Sequence, residues 1–127
     1  MSFARIDSGK RGELLAISYL KKLGYKIVAK NYKTNLGEID LIARDRDTVC
    51  FIEVRSKNSP DFGLAEETIT GKKKTQISKA ALGYIKRFGL EDYSCRFDVV
   101  CIQNVNTSEP EIKLIKNAFE LADRYSY

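Results

Sequence analysis

The sequence predicts an α/β protein, in which a β-sheet is flanked by α-helices. Two segments place apolar residues at the three- and four-residue intervals of an amphipathic helix. Around them lie short runs rich in Val, Ile and Phe that are typical of strands and are bounded by turn residues. The chain has 127 residues, of which 43% are hydrophobic and 31% charged. That suffices for one domain with a sizeable core, and we expect it to span residues 1–127.

The first helix is predicted from about Ser8 to Leu23, with Gly24 ending it. Its apolar stripe consists of Ala16, Tyr19, Leu20 and Leu23. Glu13 lies three residues before Ala16, so its side chain projects from the edge of this stripe toward the core. Two interpretations are open. Glu13 is either part of a site or a first-turn acid that complements the helix dipole.

Three strands are predicted after this helix. The first covers about Tyr25–Ala29 and is followed by a polar connection over Asn31–Gly37. The second covers about Glu38–Arg44 and the third about Thr48–Arg55. The turn composition of Asp45-Arg46-Asp47 joins the last two as an antiparallel hairpin.

Both strands of the predicted hairpin carry an acid inside an apolar run, Asp40 on one and Glu53 on the other. Acids are rarely buried unless something pairs with them. If Asp40 pairs with Glu53, their Cβ atoms lie about 5 Å apart, and the repulsion calls for a positive charge between them. A divalent cation would supply it. On this register Glu38 shares the face of Asp40, and Arg55 and Lys57 share that of Glu53. A one-residue slip would instead place the acids on opposite faces.

The second helix is predicted from about Lys72 to Phe88, with Thr70 as its N-cap and Gly89 after its end. Its first turn reads Lys72-Lys73-Lys74, at the end where the helix dipole disfavours cations. Either an anion such as a phosphate binds there, or the three lysines form a solvated charged run.

The remaining segments predict one clear strand and two shorter elements. The strand covers about Cys95–Gln103, and Asp98 within it is expected either to support a site or to pair with Arg96. A last strand covers about Glu111–Ile115. Asn117 is predicted to cap a short helix that continues to about Asp123.

The composition excludes several kinds of site. The chain contains no histidine, which rules out Ser-His and Cys-His nucleophile pairs and histidine metal ligands. Its three cysteines fit neither a disulfide framework nor a zinc site, and Cys50 and Cys101 are expected to be buried. The net charge of +5 favours a polyanionic partner, most commonly nucleic acid. No transmembrane run or secretory signal is visible, so we expect a cytoplasmic protein without a membrane partner.

These residues resemble a known pattern. Asp40 followed by Glu53-Val54-Arg55 is similar to the motif of the PD-(D/E)xK nuclease superfamily, an acid on one strand and acid-x-lysine on the next. Residues 9–103 resemble more closely the YraN-like family of bacterial proteins. The segments that carry this resemblance are Gly12-Glu13, Tyr19-Leu20, Gly24-Tyr25, Asn31, Gly37–Ile42, Phe51–Arg55, Lys73, Ala80-Ala81 and Arg96–Val100.

The resemblance implies a restriction-endonuclease-like fold, a mixed β-sheet flanked by helices, similar to Holliday-junction resolvases. It implies Mg²⁺ or Mn²⁺ as cofactor, held by Asp40, Glu53 and the Val54 carbonyl, with Glu13 as a helix-borne acid. It further implies DNA, including branched DNA, as partner and a homodimer. We expect the lysine run 72–74 to bind nucleic acid, and Glu38 and Asp98 to support the site.

The sequence departs from the superfamily motif at two positions. Ile39 stands where the superfamily has a proline, and Arg55 stands where it has the lysine. Arginine keeps its charge at any working pH, so it can clamp a phosphate but cannot act as a general base. Lys57, two residues further on, is the expected substitute.

Three functions are therefore predicted in order of preference. The first is a Mg²⁺-dependent DNA endonuclease. The second is a nucleic-acid-binding module that has the nuclease fold but weak or no catalysis. The third is an interaction protein whose acids form ordinary salt bridges.

Overall fold

A computed structural model describes residues 8–57 and 69–120 of the chain. These residues form two helices and five strands. In chain order the elements are α1 (Ser8–Lys22), β1 (Lys26–Lys33), β2 (Glu38–Asp45), β3 (Thr48–Ser56), α2 (Gly71–Phe88), β4 (Cys95–Gln103) and β5 (Glu111–Phe119). Residues 58–68, between β3 and α2, lie outside the described residues.

The five strands form one mixed sheet in the order β1-β2-β3-β4-β5. Neighbouring strands are antiparallel except β3 and β4, which are parallel. A parallel pair needs a crossover connection, and the segment between β3 and β4 contains α2. The predicted fold class, an α/β protein with a mixed sheet and flanking helices, is confirmed.

One face of the sheet packs against α1. Ala16 and Leu20 of α1 join a buried cluster with alternate strand residues, including Leu41, Ile52 and Val100. All five side chains are at most 1% exposed. Burial of such aliphatic side chains contributes about 1.5–3 kcal/mol each, so this layer anchors α1 to the three central strands.

The other face packs against α2. Ile77 and Tyr84 of α2 share a second buried cluster with Ile42, Phe51 and Val99. Because side chains alternate along a strand, Glu53 projects from the same face as Phe51. The acid of β3 therefore lies in the layer between the sheet and α2.

The ends of α2 confirm the predicted caps. The Thr70 side chain accepts a hydrogen bond from the backbone N–H of Lys73, at 3.1 Å. Gly89 adopts the left-handed conformation with φ of 64°, which a residue without Cβ does at little cost.

Neither α1 nor α2 is both long and apolar enough to cross a membrane.

Strand β1 is longer than predicted and includes the first three residues of the predicted polar connection. It continues to Lys33, and Tyr32 packs edge-on against Tyr84 with ring centroids 5.2 Å apart. Lys30, Asn31 and Lys33 are exposed. An edge strand tolerates such polar residues, because only part of its surface is buried.

The prediction that Asn117 caps a C-terminal helix is wrong. Asn117 lies within β5, which extends to Phe119, and residues 121–123 lie outside the described residues. The rings of Phe97 and Phe119 stack with centroids 4.9 Å apart, and Asn117 has a positive φ of 55° beside the irregular register there. Asn117 thus bends an edge strand, since asparagine tolerates this conformation better than most residues.

The prediction that Cys50 and Cys101 are buried is confirmed.

Candidate metal site at the open end of the hairpin

The register of the β2–β3 hairpin brings the two strand acids side by side. Asp45 pairs with Thr48 at the turn, and the pairing proceeds without a shift to Leu41 and Ile52. The next residues along are Asp40 and Glu53. The backbone N–H of Val54 also donates a hydrogen bond of 2.8 Å to Asp40 Oδ2. Of the two registers that the sequence leaves open, the structure has the one that places Asp40 beside Glu53, and the one-residue slip does not occur.

Two glycines allow both helices to approach this end of the sheet closely. A Cβ on Gly37, directly before β2, would lie 2.5 Å from the backbone carbonyl oxygen of Gln76 in α2. A Cβ on Gly12 of α1 would overlap the Ser56 hydroxyl at the end of β3. Gly37 faces backbone that cannot move away, so that position requires glycine, whereas the Ser56 side chain opposite Gly12 can rotate. The close packing sets the start of α2 over the two acids.

Glu53 is a buried acid with incomplete compensation. Its residue is 5% exposed. Its Oε2 lies 3.6 Å from Arg55 Nε and 3.6 Å from Lys73 Nζ. Its Oε1 is also buried and accepts no hydrogen bond from any residue in the described part of the chain. A buried carboxylate oxygen without a partner is costly, so this atom points to a ligand that the protein itself does not supply.

The environment of Glu53 favours its neutral form. The pKa of the Glu53 carboxyl is raised to about 8. Burial in the layer under α2 is the largest cause, and the hydrogen bond and charge of the neighbouring Asp40 add to it, while the charges of Lys73 and Arg55 act in the opposite direction. Protonated, Glu53 can donate its proton to Asp40. Ionised, the two carboxylates have no proton to share, which leaves Oε1 without a partner. A cation between the carboxylates would replace that proton.

Glu13 lies in the opposite layer, on α1. Its Oε1 accepts a hydrogen bond of 2.8 Å from Asn31 Nδ2 of β1. Among residues 8–57 and 69–120, no three or more acidic, cysteine or histidine side chains are grouped so that they could hold a metal ion. The structure therefore brings Asp40 and Glu53 together as a pair, and the role of Glu13 as a third ligand stays a prediction.

The lysine run of α2 divides into three different environments. Lys73 is half-buried and reaches Glu53, Lys72 is exposed, and Lys74 Nζ lies 5.7 Å from the ring centroid of Phe119. The sequence contained a signal for this division. Lys73 precedes Ile77 by four residues and Ala81 by eight, so it belongs to the inward stripe of the helix.

Other predicted site residues lie around the pair. Lys57 follows the end of β3, and its backbone bonds to Ile102 and Val105 hold it beside β4. Glu38 pairs with Lys33 of β1 at the start of β2. The Val54 carbonyl as a metal ligand, and Glu38 and Lys57 as contributors, stay predictions.

Asp98 forms a second charged cluster on the other face of the sheet. Its carboxylate accepts two hydrogen bonds from Arg96 Nε, at 2.9 and 3.1 Å, and one of 2.9 Å from the backbone N–H of Asn117. Arg96 also donates to Asp45 at 3.0 Å and to the Tyr25 hydroxyl at 2.6 Å. The predicted pairing of Asp98 with Arg96 is confirmed. A role for Asp98 in supporting the Asp40–Glu53 pair stays a prediction.

Comparison with known proteins identifies the family. The model of the uncharacterised protein family UPF0102 matches residues 12–102, from α1 to the end of β4. The chain belongs to the UPF0102 family. It is 44% identical over 117 residues to a UPF0102 protein of Syntrophus aciditrophicus, covering 92% of this chain and 91% of the relative. It is 43% identical over 114 residues to one of Geobacter sulfurreducens, covering 90% and 89%.

Family membership bears out the resemblance to YraN-like proteins. The matched region includes Asp40, Glu53 and Lys73. The names of these UPF0102 relatives state no activity, substrate or partner.

Proposed function

We propose that this UPF0102 protein binds DNA at a divalent-cation site formed by Asp40 and Glu53 and hydrolyses its phosphodiester bonds. The observation that carries the proposal is the buried Glu53 Oε1 without a hydrogen bond from the described residues, next to a second carboxylate. Structural acids are normally satisfied by their own fold. An acid that is not satisfied, buried between a sheet and a helix, is a candidate for binding or catalysis.

The two carboxylates suit Mg²⁺ or Mn²⁺. Mg²⁺ in phosphoryl-transfer sites is commonly held by one or two carboxylates, with waters and substrate phosphates completing its shell. Asp40 and Glu53 would hold it, and the Val54 carbonyl is a further candidate ligand. When bound, such a cation supplies Lewis-acid stabilisation of the phosphate and a more acidic water.

The two cations beside Glu53 have different tasks in this proposal. Arg55 presents a planar fork that binds phosphate oxygens but does not exchange protons at neutral pH. Lys73 carries the exchangeable proton, and its side chain is 34% exposed, which lets solvent and substrate reach it. The motif lysine absent at position 55 is thus replaced by a lysine that arrives from α2.

The experiment that tests this function is a cleavage assay with Mg²⁺ and with Mn²⁺ on single-stranded, duplex, flap and four-way-junction DNA. Wild type should cleave at least one of these substrates. Glu53→Gln should abolish cleavage, and Lys73→Ala should reduce it about 100-fold, within the usual range for a proton-transfer residue. Lys21→Ala is the control, because that exposed lysine lies on α1, on the other face of the sheet, and it should retain activity.

A second candidate is a nucleic-acid-binding module of the same fold without catalysis. The observation in its favour is that no third acid joins Asp40 and Glu53 among the described residues. The assay separates the two candidates. If wild type and Arg55→Lys both bind DNA but neither cleaves it with either metal, the binding module is correct.

DNA binding itself is tested through its salt dependence. The net charge of +5 and the cations near the acid pair should make the affinity fall steeply with rising salt. We expect a linear decrease of log affinity with log salt, measured by fluorescence anisotropy. Absence of binding, or binding that salt does not alter, would contradict both candidates.

A further inference from the structure

We propose that a second surface, at the far end of α2, binds the unpaired bases of a single-stranded nucleic acid. This surface, the aromatic shelf, is lined by Lys26, Val28, Arg44, Phe88, Leu90 and Tyr93. The proposal rests on the proposed function, since it adds a second contact for the same nucleic acid.

The first observation is the exposure of two aromatic rings. Phe88 is 51% exposed and Tyr93 is 44% exposed. Phe88 packs against the buried Tyr84, with ring centroids 4.6 Å apart. The exposed ring therefore stands on a rigid support. Rings held in this way are the platforms on which proteins stack bases, because every base has a π-face.

The second observation is the positive charge next to these rings. Lys26, Arg44 and Arg46 line an adjacent cavity, together with Gly24. Arg44 borders both cavities, and its guanidinium carbon lies 5.5 Å from the centroid of the Tyr93 ring. Its buried Nε has no hydrogen-bond partner among the described residues. A phosphate oxygen is an acceptor suited to that donor.

The third observation is that the shelf and the acid pair lie along the same helix. Lys73 and Phe88 both belong to α2, and their fifteen-residue separation corresponds to about 22 Å at about 1.5 Å per residue. Val49 at the shelf and Glu53 at the acid pair project from the same face of β3. A single strand of a few nucleotides would therefore connect the two places.

The chemistry favours an unpaired strand over a duplex or an apolar peptide. Stacking on Phe88 and Tyr93 needs bases that are not already stacked in a duplex. An apolar peptide would gain nothing from three cations beside the rings. Glu91 and Asp92 lie in the turn before Tyr93, and their negative charges would weaken phosphate binding. Neutralising them should therefore strengthen binding, whereas removing the rings should weaken it.

The test compares oligothymidylate with a duplex of equal length, by fluorescence anisotropy on the full chain. The double variant Phe88→Ala and Tyr93→Ala should weaken binding of oligothymidylate about tenfold or more, and that of the duplex less than about twofold. Phe88→Tyr with Tyr93→Phe keeps both rings and should restore binding. Leu14→Ala, at a residue 59% exposed on α1, is the control and should change neither affinity.

A second variant set checks the charge. Glu91→Gln with Asp92→Asn should strengthen oligothymidylate binding about threefold at low salt. An alanine double variant with unchanged affinity, or with equal losses for both probes, overturns the aromatic shelf and leaves the proposed function intact. A wild-type protein that binds neither probe overturns the proposed function and the shelf with it. Thermal unfolding of each variant verifies that it is folded.

Discussion

Two buried acids on neighbouring strands of this protein differ in how far the fold supplies partners for their carboxylate oxygens. Asp98 is fully buried, and it accepts hydrogen bonds from Arg96 and from the backbone of Asn117. Glu53 is 5% exposed, and its nearest cations stand at 3.6 Å, while one of its oxygens has no hydrogen bond from the described residues. Asp98 pairs across the sheet with Ile52, one residue from Glu53.

The difference shows what each acid does for the protein. The charge of Asp98 is neutralised inside the fold, on the face that α1 covers, and its partners tie β4 to β5 and to the hairpin turn. Glu53 projects from the opposite face, where the nearby Asp40 adds like charge rather than compensation. A fold that satisfies one buried acid and leaves its neighbour unsatisfied keeps the second available for a ligand.

Removal of the satisfied acid should have the largest effect on stability. Asp98→Ala leaves the mostly buried Arg96 side chain without its closest partner and Asn117 without an acceptor. Breaking such a pair costs about 3–5 kcal/mol, measured as the free energy of unfolding in urea. Glu111→Ala, at an exposed position of β5, should change the free energy of unfolding by less than about 0.5 kcal/mol. A loss below about 1 kcal/mol for Asp98→Ala would contradict the structural role assigned to it.

Neutralisation of the unsatisfied acid should change the pH dependence of stability instead. The folded protein raises the pKa of Glu53 from 4.5 to about 8, so it favours the protonated form. The contribution of Glu53 to stability is therefore fully present below about pH 4.5 and is lost as the pH rises through about 8. Without metal, the free energy of unfolding should fall by on the order of 4 kcal/mol between about pH 5 and pH 9, relative to that of Glu53→Gln.

This comparison uses urea unfolding of both proteins in the presence of a chelator. The glutamine side chain of the variant has no proton to lose, so the difference between the two curves isolates one residue. If the free energies of unfolding of wild type and Glu53→Gln change in parallel across this pH range, then folding does not raise the pKa of Glu53.

A pair of glycine variants examines how closely α2 must approach the acid pair. Gly37→Ala places a Cβ against the Gln76 carbonyl and should destabilise the protein by about 1–3 kcal/mol. Gly83→Ala, within α2, meets nothing within 4 Å and should stabilise it by up to about 1 kcal/mol. Thermal unfolding measures both. Equal effects of the two substitutions would contradict the close contact at Gly37.

Most of the fold could be predicted from the sequence, because its signals are local. Thr70 and Gly89 mark the ends of α2 by their own chemistry. The turn composition at Asp45-Arg46-Asp47 predicts the hairpin, but the sequence leaves two registers open and the structure selects the one with Asp40 beside Glu53. Asn117 misled the prediction for a physical reason. Asparagine serves equally as a helix cap and as a residue with positive φ, and only the distant partners Asp98 and Phe97 select the second use.

The candidate site could be predicted only in part. Asp40 and Glu53 stand out in the sequence as acids inside apolar runs, whereas the lysine run 72–74 predicts the same nucleic-acid-binding role for Lys73 as for its two neighbours. The contact of Lys73 with Glu53 depends on how α2 packs over the sheet. That packing is set by the close approach of Gly37 to Gln76, two residues that are far apart in the sequence. The aromatic shelf likewise joins Arg44 of β2 to Tyr93 after α2. Helical periodicity marks Lys73 as inward-facing, but no periodic pattern shows which distant residue such a side chain contacts.

The most direct measurement is a calorimetric titration of Mn²⁺ into the metal-free protein at about pH 8.5, where Glu53 is ionised. Wild type and Asp47→Asn, a change at an exposed acid in the hairpin turn, should bind the ion alike. Asp40→Asn and Glu53→Gln should each abolish binding while the protein stays folded. Binding that survives both of these substitutions, or its absence in wild type, would contradict the assignment of Asp40 and Glu53 as a divalent-cation site.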